Sequence, residues 1–312
     1  MNRLTETKII LVVRTTRLAD LKAKFATKSQ ARFYVNHLGG DFSDYEREDA
    51  AYQQAILQAQ HAMGDLGRVQ LVQRAFLPNF LFGGQDIVVV LGQDGLVANT
   101  LKYLSGQPLI GVNPDPKRWD GQLLPFQVKH LDKVMREVMR GERPKREVTM
   151  AEAKLNTGLN LCAVNDLFIG MKSHGSARYR ITSGKTAENH SSSGVIVSTG
   201  LGSTGWFKSL MTGAAGVATA SGGAREAQVQ DTRFPWESNY LYFTVREPFP
   251  SNTTGTNLVF GKVTPKQPLV IESQMGENGV IFSDGIEHDF LEFNSGTKAT
   301  ISIAQRKGLL VV

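Results

Sequence analysis

The segment Asp86-Ile-Val-Val-Val-Leu-Gly-Gln-Asp-Gly-Leu96 sets one carboxylate, Asp94, between two glycines directly after an unbroken apolar run. The run Ile87–Leu91 is unbroken and β-branched up to its last residue, the pattern of a strand buried on both faces in a parallel sheet. A strand that passes straight into a helix aims free backbone N–H groups at the connecting turn, and such a turn favours anions, phosphates above all. Gly92 and Gly95 let a phosphate approach the backbone closely. An aspartate there repels the phosphate unless it has another task. It can hold Mg²⁺, or accept a proton from an attacking hydroxyl, and both tasks belong to phosphoryl transfer. Capping of a helix that starts near Leu96 explains the same residue equally well.

Two later segments weigh on the choice. Ala163-Val-Asn-Asp166 puts an amide beside a carboxylate after an apolar stretch, a pair able to grip the two hydroxyls of a ribose. Ser193-Gly-Val-Ile-Val-Ser-Thr-Gly-Leu-Gly-Ser-Thr-Gly-Trp206 reads as a strand, a glycine loop rich in hydroxyls and an indole. Ser198, Thr199, Ser203, Thr204 and the backbone around Gly202 can hydrogen-bond a base, and Trp206 can stack on it. Gly200-Leu-Gly-Ser-Thr-Gly205 also satisfies the dinucleotide fingerprint formally, but its surroundings read as β-rich, with no helix-then-strand unit after it. A loop that brings backbone close to a ligand, or a plain glycine turn, accounts for it. Ser183-Gly-Lys-Thr186 ends like a phosphate loop but has Tyr179 where the first glycine must stand. The six histidines are scattered without metal-ligand spacing.

The elements that must position these groups fall into two sets. Up to about residue 146, strand and helix patterns alternate. Ile9–Val13, Val69–Val72, Ile87–Leu91 and Pro108–Asn113 read as strands. Ser43-Asp-Tyr-Glu46 has the form of a capping box ahead of an apolar face at Tyr52, Ile56, Ala59 and Met63. Leu96, Leu101 and Leu104 suggest a short helix. Leu131, Val134, Met135, Val138 and Met139 form a helical stripe that stops at Gly141. Repeated units of this kind predict a Rossmann-like α/β domain with a parallel sheet over 1–146. Beyond Arg143-Pro-Lys-Arg146, short alternating runs take over at 240–245, 269–272, 280–282 and 299–303, with turn signals such as Glu277-Asn-Gly279 between them. The expectation is a β-rich domain over 147–312, with Gly and Ser crowded around 191–223 as a ligand loop or a flexible connection.

Composition bounds the function classes. With 312 residues, 41% hydrophobic and 21% charged, the chain can bury a real core. The excess of 35 basic over 29 acidic residues suits a polyphosphate ligand but is too mild for a nucleic-acid binder. No run reaches membrane-spanning length. The single cysteine, Cys162, fits a reducing compartment as a small core residue, so the expectation is a cytoplasmic protein without a membrane or nucleic-acid partner.

The order of the motifs resembles that of the NAD kinases, within the superfamily that also holds the diacylglycerol and sphingosine kinases. The family's Gly-Gly-Asp-Gly-Thr motif is similar to Gly92-Gln-Asp-Gly-Leu96, and its Asn-Glu pair to Asn165-Asp166. Its Asp-Gly-(apolar)₂-Val-Ser-Thr-Pro-Thr-Gly-Ser-Thr-Ala-Tyr segment is similar to Ser193–Trp206. Gly111-Val-Asn113 and Asp284-Gly285 resemble two further family elements, so the likeness runs from about residue 84 to 305. It implies an α/β nucleotide domain joined to a β-sandwich-like domain, with the site in the cleft between them. It also implies transfer of the γ-phosphate of ATP to the 2′-hydroxyl of the adenosine ribose of NAD, with Mg²⁺, in a homodimer or homotetramer. On this resemblance Asp94 activates the hydroxyl, and Gly92, Gln93 and Gly95 form the ATP-phosphate turn. Asn165 and Asp166 hold dinucleotide ribose or base, and Ser198, Thr199, Gly202, Ser203, Thr204 and Trp206 line the base pocket. The resemblance assigns no metal ligand.

The sequence departs from the family on both sides of the reaction. Gln93 replaces a glycine and Leu96 a threonine on the donor side. Asp166 replaces a longer acid, Ser193 an aspartate, and Gly200-Leu201 a Pro-Thr pair on the acceptor side. These changes describe a divergent member and leave two other readings standing. One is a dinucleotide-binding regulatory protein of impaired catalysis. The other is a kinase for a lipid or sugar hydroxyl.

Overall fold

The computed structural model describes residues 4–222 and 231–312. Residue 223 of the Gly/Ser-rich region therefore lies outside the described residues, as do residues 1–3. The chain divides into a first unit, Met1–Arg146 with Leu309–Val312, and a second, Glu147–Gly308.

The first unit is built on a sheet whose strands run in the order Arg68–Gln73, Lys8–Val13, Ile87–Leu91, Pro108–Asn113, Gly308–Val311 and Lys145–Val148, with Phe126–Gln127 also pairing with Pro108–Asn113. The pairings from Arg68–Gln73 through Gly308–Val311, and that of Phe126–Gln127, are parallel. Every residue of Ile87–Leu91 is buried, as its apolar run requires. Helix Phe42–Gly64 lays Tyr52, Ala55, Ala59 and Met63 against this sheet, and helix Leu131–Met139 adds Leu131, Val134, Met135 and Val138 to the same core. The chain crosses from Lys8–Val13 to one neighbour, Arg68–Gln73, and then back past it to the other, Ile87–Leu91. The order of strands thus reverses at Lys8–Val13, and ligands of open α/β sheets bind beyond the carboxyl ends of the strands at such a point.

Three expectations change here. Ser43 does not start a capping box. Asp41 is the N-cap of Phe42–Gly64, and its carboxylate accepts both the Ser43 N–H and the Ser43 hydroxyl. Two helices not read from sequence, Arg17–Phe25 and Lys28–His37, follow the first strand, capped by Thr16 and Thr27. The last strand, expected within 147–312, pairs with Pro108–Asn113 through Leu309 and Leu310 and so completes the first unit's sheet.

The second unit holds two six-stranded sheets. One runs Thr186–Ser192, Ala177–Ser183, Leu269–Ser273, Lys298–Ile303, Ala151–Leu155, Asn160–Ala163, antiparallel throughout. The other runs Phe260–Val263, Leu241–Val245, Val195–Ser198, Asp166–Met171, Gly279–Ser283, Ile286–Glu292, again antiparallel. Their inward residues form one core, with Tyr179, Ile181, Ile271 and Ile301 from the first sheet and Leu167, Ile169, Val197, Phe243 and Ile281 from the second. This is the sandwich-like arrangement expected from alternating strands. The phosphate-loop look-alike Ser183-Gly-Lys-Thr186 is a two-residue hairpin turn with Gly184 at φ +59°. One element runs against expectation: a helix, Trp206–Ala220, follows the glycine loop directly. Among the described residues no helix is long and apolar enough to cross a membrane.

Candidate active site

In the first unit the site is built at the carboxyl ends of Lys8–Val13, Ile87–Leu91 and Pro108–Asn113. The buried hydroxyl of Tyr52 ties the first two together. It accepts the Arg14 N–H at 3.0 Å and donates to the Leu91 carbonyl at 2.6 Å. Burial pushes this phenol up to about 12, against the opposing pull of the Arg14 N–H bond and charge, so it stays a donor. Gly92 then leaves the strand, Gln93 takes the N-cap position without a side-chain capping bond, and Asp94 opens helix Asp94–Leu101. The N–H groups of Leu96 and Val97 reach the Gln93 carbonyl, which leaves those of Asp94 and Gly95 without an acceptor among the described residues. Gly95 is exposed, with open space where a Cβ would stand.

Asp94 does not cap its own helix. Its carboxylate accepts the N–H groups of Leu123 at 2.7 Å and Gln122 at 3.2 Å, both from the loop after Pro108–Asn113. That loop is seated by two residues of the Gly111-Val-Asn113 strand end. A Cβ on Gly111 would lie 2.0 Å from the Leu123 carbonyl oxygen, so only glycine lets the loop backbone settle on the strand. The Asn113 amide donates to the Trp119 carbonyl at 2.9 Å, and its oxygen accepts the Asp115 N–H at 3.0 Å. One carboxylate, two bare helix N–H groups and an exposed glycine thus share the switch point of the sheet. This set can orient a hydroxyl and receive phosphate oxygens.

The second unit gathers Asn165, Asp166, the 198–205 loop and Asp284. Asp284 and Gly285 form the two-residue turn between Gly279–Ser283 and Ile286–Glu292 with φ of +55° and +69°, the paired positive values that an Asp-Gly hairpin turn adopts. The Asp284 carboxylate accepts the N–H groups of Val164, Asn165 and Asp166 at 3.0, 2.6 and 3.4 Å, which fixes the Asn165-Asp166 corner. Asn165 is half-buried and its side-chain amide bonds to no described residue. Asp166 is only 7% exposed, and no donor among the described residues reaches its carboxylate. Burial, and next the negative charge of Asp284, raise this carboxyl to about 7. A buried carboxylate without a donor is a place for ligand hydroxyls.

The glycine-hydroxyl loop is arranged differently from a lining of free hydroxyls. Ser198, Thr199 and Ser203 are buried, and their hydroxyls donate to carbonyls of the loop and its neighbours: Ser198 to Thr199 at 3.1 Å, Ser203 to Gly200 at 2.6 Å, Thr199 to Val164 and Asn165. The Thr199 oxygen also accepts the Gly202 N–H. The glycines bring backbone to backbone. A Cβ on Gly200 would meet the Pro235 carbonyl oxygen at 2.0 Å, and one on Gly202 the Asn165 carbonyl oxygen at 2.0 Å. The loop therefore braces the Asn165 corner, and Thr204 is the exposed hydroxyl among these residues. Trp206 stacks on Phe168 at 5.9 Å between centroids, with the Arg246 guanidinium 5.3 Å from its ring.

Sequence reasoning thus singled out Asp94, Asn165 and Asp166 and missed what holds them. The Gly111-Val-Asn113 and Asp284-Gly285 signals were in view, but the roles of Tyr52, Gln122 and Leu123 had no signal of their own. Among the described residues no group of three or more His, Cys, Asp or Glu side chains stands ready for a metal ion. The donor set suits a divalent ion only as one that arrives on nucleotide phosphates, for which Mg²⁺ needs one or two carboxylates, and Asp94 is the carboxylate at the turn.

A parallel α/β unit followed by an antiparallel sandwich is the two-domain fold of solved NAD and NADH kinases. The chain is similar to the NAD kinase from Archaeoglobus fulgidus solved in complex with ATP, at 14% identity and a TM-score of 0.57, over 98% of this chain and 94% of that one. It is also similar to yeast NADH kinase solved in complex with NADH, at 14% identity and a TM-score of 0.56, over 99% of this chain and 84% of that one. No protein-family model and no curated protein matches the sequence.

Proposed function

We propose that the protein is an ATP-dependent kinase that phosphorylates the 2′-hydroxyl of the adenosine ribose of NAD, or of a closely related nucleotide. The observation that carries this reading is the Asp94 carboxylate, held by two N–H groups from another loop rather than capping its own helix. A carboxylate fixed in this way orients an attacking hydroxyl and takes its proton late, as phosphoryl transfer requires of a weak base. The N–H groups of Asp94 and Gly95 and the turn at Gly92 and Gln93 receive oxygens of the donor phosphate. A divalent ion carried by ATP would be held at Asp94 and would supply neutralisation of phosphate charge. In the second unit, the free Asn165 amide and the Asp166 carboxylate receive the dinucleotide's ribose hydroxyls, and Thr204 contacts its base. Ser198, Thr199, Gly202 and Ser203 shape the loop from within, while Trp206 packs at its end.

Two departures from the family bear on the donor side without closing it. Leu96 is buried, and its side chain lies where a Cβ on Gly92 would reach, at 2.8 Å. It fills the turn from the inside and leaves the exposed Gly95 edge open. Gln93 is half-buried and makes no capping bond, so it does not block the helix N–H groups.

The reading is tested by incubating the protein with ATP and Mg²⁺ and, in separate reactions, NAD, NADH, a diacylglycerol and free sugars, with detection of the added phosphate by mass. Phosphate on the dinucleotide alone is expected. Transfer only to a lipid or sugar, or NAD binding by calorimetry with no transfer from any donor, would replace the reading. A homodimer or homotetramer belongs to the same proposal, and a monomer in sedimentation would remove that part of it.

A further inference from the structure

The loop that holds Asp94 is itself tied down at a second point. Arg118, between Asn113 and Leu123, makes a two-pronged ion pair with Asp44 in the first turn of helix Phe42–Gly64, at 2.6 and 3.1 Å. Within the loop, the N–H groups of Arg118 and Trp119 both bond the Asp115 carbonyl, at 3.0 and 3.1 Å, so the guanidinium is joined to the loop backbone through a tight turn. The Asp115 carboxylate stands 3.7 Å from the Arg118 Nε. Asp44 faces three arginines: Arg118, Arg17 at 2.7 Å and Arg47 at 3.8 Å. Arg17 in turn bonds Glu48, which also holds Arg14 at 2.8 Å. An unbroken set of contacts therefore leads from the start of Phe42–Gly64, through Arg118 and the loop, to the Gln122 and Leu123 N–H groups and the Asp94 carboxylate.

We propose that Arg118 is a positioning residue for the phosphotransfer proposed above: clamped on Asp44, it holds the 114–124 loop so that Gln122 and Leu123 fix the Asp94 carboxylate in one orientation. The inference rests on that reading for its catalytic part only. Planar, two-pronged pairing is what a guanidinium offers and an ammonium does not, so lysine is an imperfect replacement. Removal of Arg118 leaves Asp44 paired with Arg17, so the helix start keeps a cation and the unit is expected to stay folded.

The test compares wild type, Arg118→Ala and Arg118→Lys by amide hydrogen exchange and steady-state kinetics. The expected result is faster exchange at Gln122 and Leu123 in Arg118→Ala, with the Ile87–Leu91 amides unchanged as the control for folding. With it comes a kcat lower by about 10- to 100-fold at nearly constant KM, the scale of a displaced catalytic group. Arg118→Lys is expected between the two. Unchanged exchange at both amides overturns the clamp, whatever the activity. Faster exchange with unchanged kcat overturns its catalytic role. If wild type transfers no phosphate to any acceptor, the kinase reading fails by itself, and the exchange comparison still decides whether Arg118 holds the loop.

Discussion

Substitution of Gly111 by alanine probes the seat of the site with a single methyl group. The added Cβ would stand 2.0 Å from the Leu123 carbonyl oxygen, 3.0 Å from its carbon and 3.2 Å from the Leu124 Cα. All three are backbone atoms, so no side-chain rotation relieves the overlap. Ordinary contact begins near 3.4 Å, so strand and loop must separate by about 1.4 Å. The strand is hydrogen-bonded on both sides, to Ile87–Leu91 and to Gly308–Val311, so the loop is what gives way. A displacement of that size stretches the 2.7 Å bond between the Leu123 N–H and Asp94 beyond hydrogen-bonding range. The overlap should lower stability by about 1–3 kcal/mol, and the misplaced carboxylate should lower kcat by roughly 10²-fold. The assay pairs urea unfolding followed by circular dichroism with the rate of phosphate transfer, measured where the variant is still fully folded. A folded Gly111→Ala protein with unchanged kcat would refute the argument that this seat positions Asp94.

Further outcomes follow from the same structure. Tyr52→Phe leaves the Arg14 N–H and the Leu91 carbonyl without their shared hydroxyl, and should cost about 1–3 kcal/mol in unfolding experiments; a smaller loss than 0.5 kcal/mol would mean the bridge contributes nothing net. Asp166 titrates near 7 in the folded chain, above its unfolded range, so its proton stabilises the fold below about pH 4, and this contribution is lost as pH rises through 7. Asp166→Asn should therefore gain stability over wild type between pH 5 and pH 8, by an upper bound of about 4 kcal/mol, and a pH-independent difference between the two proteins would contradict the burial argument. A ligand whose hydroxyls donate to the Asp166 carboxylate favours its ionised form, so NAD should bind more tightly at pH 8 than at pH 6, as calorimetry can measure.

How much of this was legible in the sequence depended on what kind of group did the work. Ile87–Leu91 and the second unit's strands at 240–245, 269–272, 280–282 and 299–303 were readable because their burial writes itself into unbroken or alternating apolar runs, whereas Thr186–Ser192, polar along most of its length, was not. Helix Trp206–Ala220 was not, because its sequence is rich in small residues and buries only Phe207, so no stripe marks a face. Helices Arg17–Phe25 and Lys28–His37 were hidden for a similar reason, with one and two buried residues apiece. Asp41 and Ser43 both had the chemistry of a cap, and only the geometry decides that Asp41 accepts from Ser43. The return of Leu309–Val312 to the first sheet is a choice of partner, which local pattern does not encode. At the site, Asp94 stood out by its position between glycines, but Gln122 and Leu123 act through backbone N–H groups that any residue carries. The hydroxyls at 198, 199 and 203 were visible as residue types, while their inward direction was set by the close backbone approaches at Gly200 and Gly202.

Asp94 is the group on which the proposed reaction depends, and the most direct measurement is the rate at which the γ-phosphate of ATP reaches the ribose of NAD in wild type and in Asp94→Asn. The amide keeps the size of the side chain and one acceptor oxygen for the Leu123 N–H, but cannot take a proton. The expected result is NADP formation by wild type and a rate about 10²- to 10⁴-fold lower in the variant. Equal rates in the two proteins would contradict it.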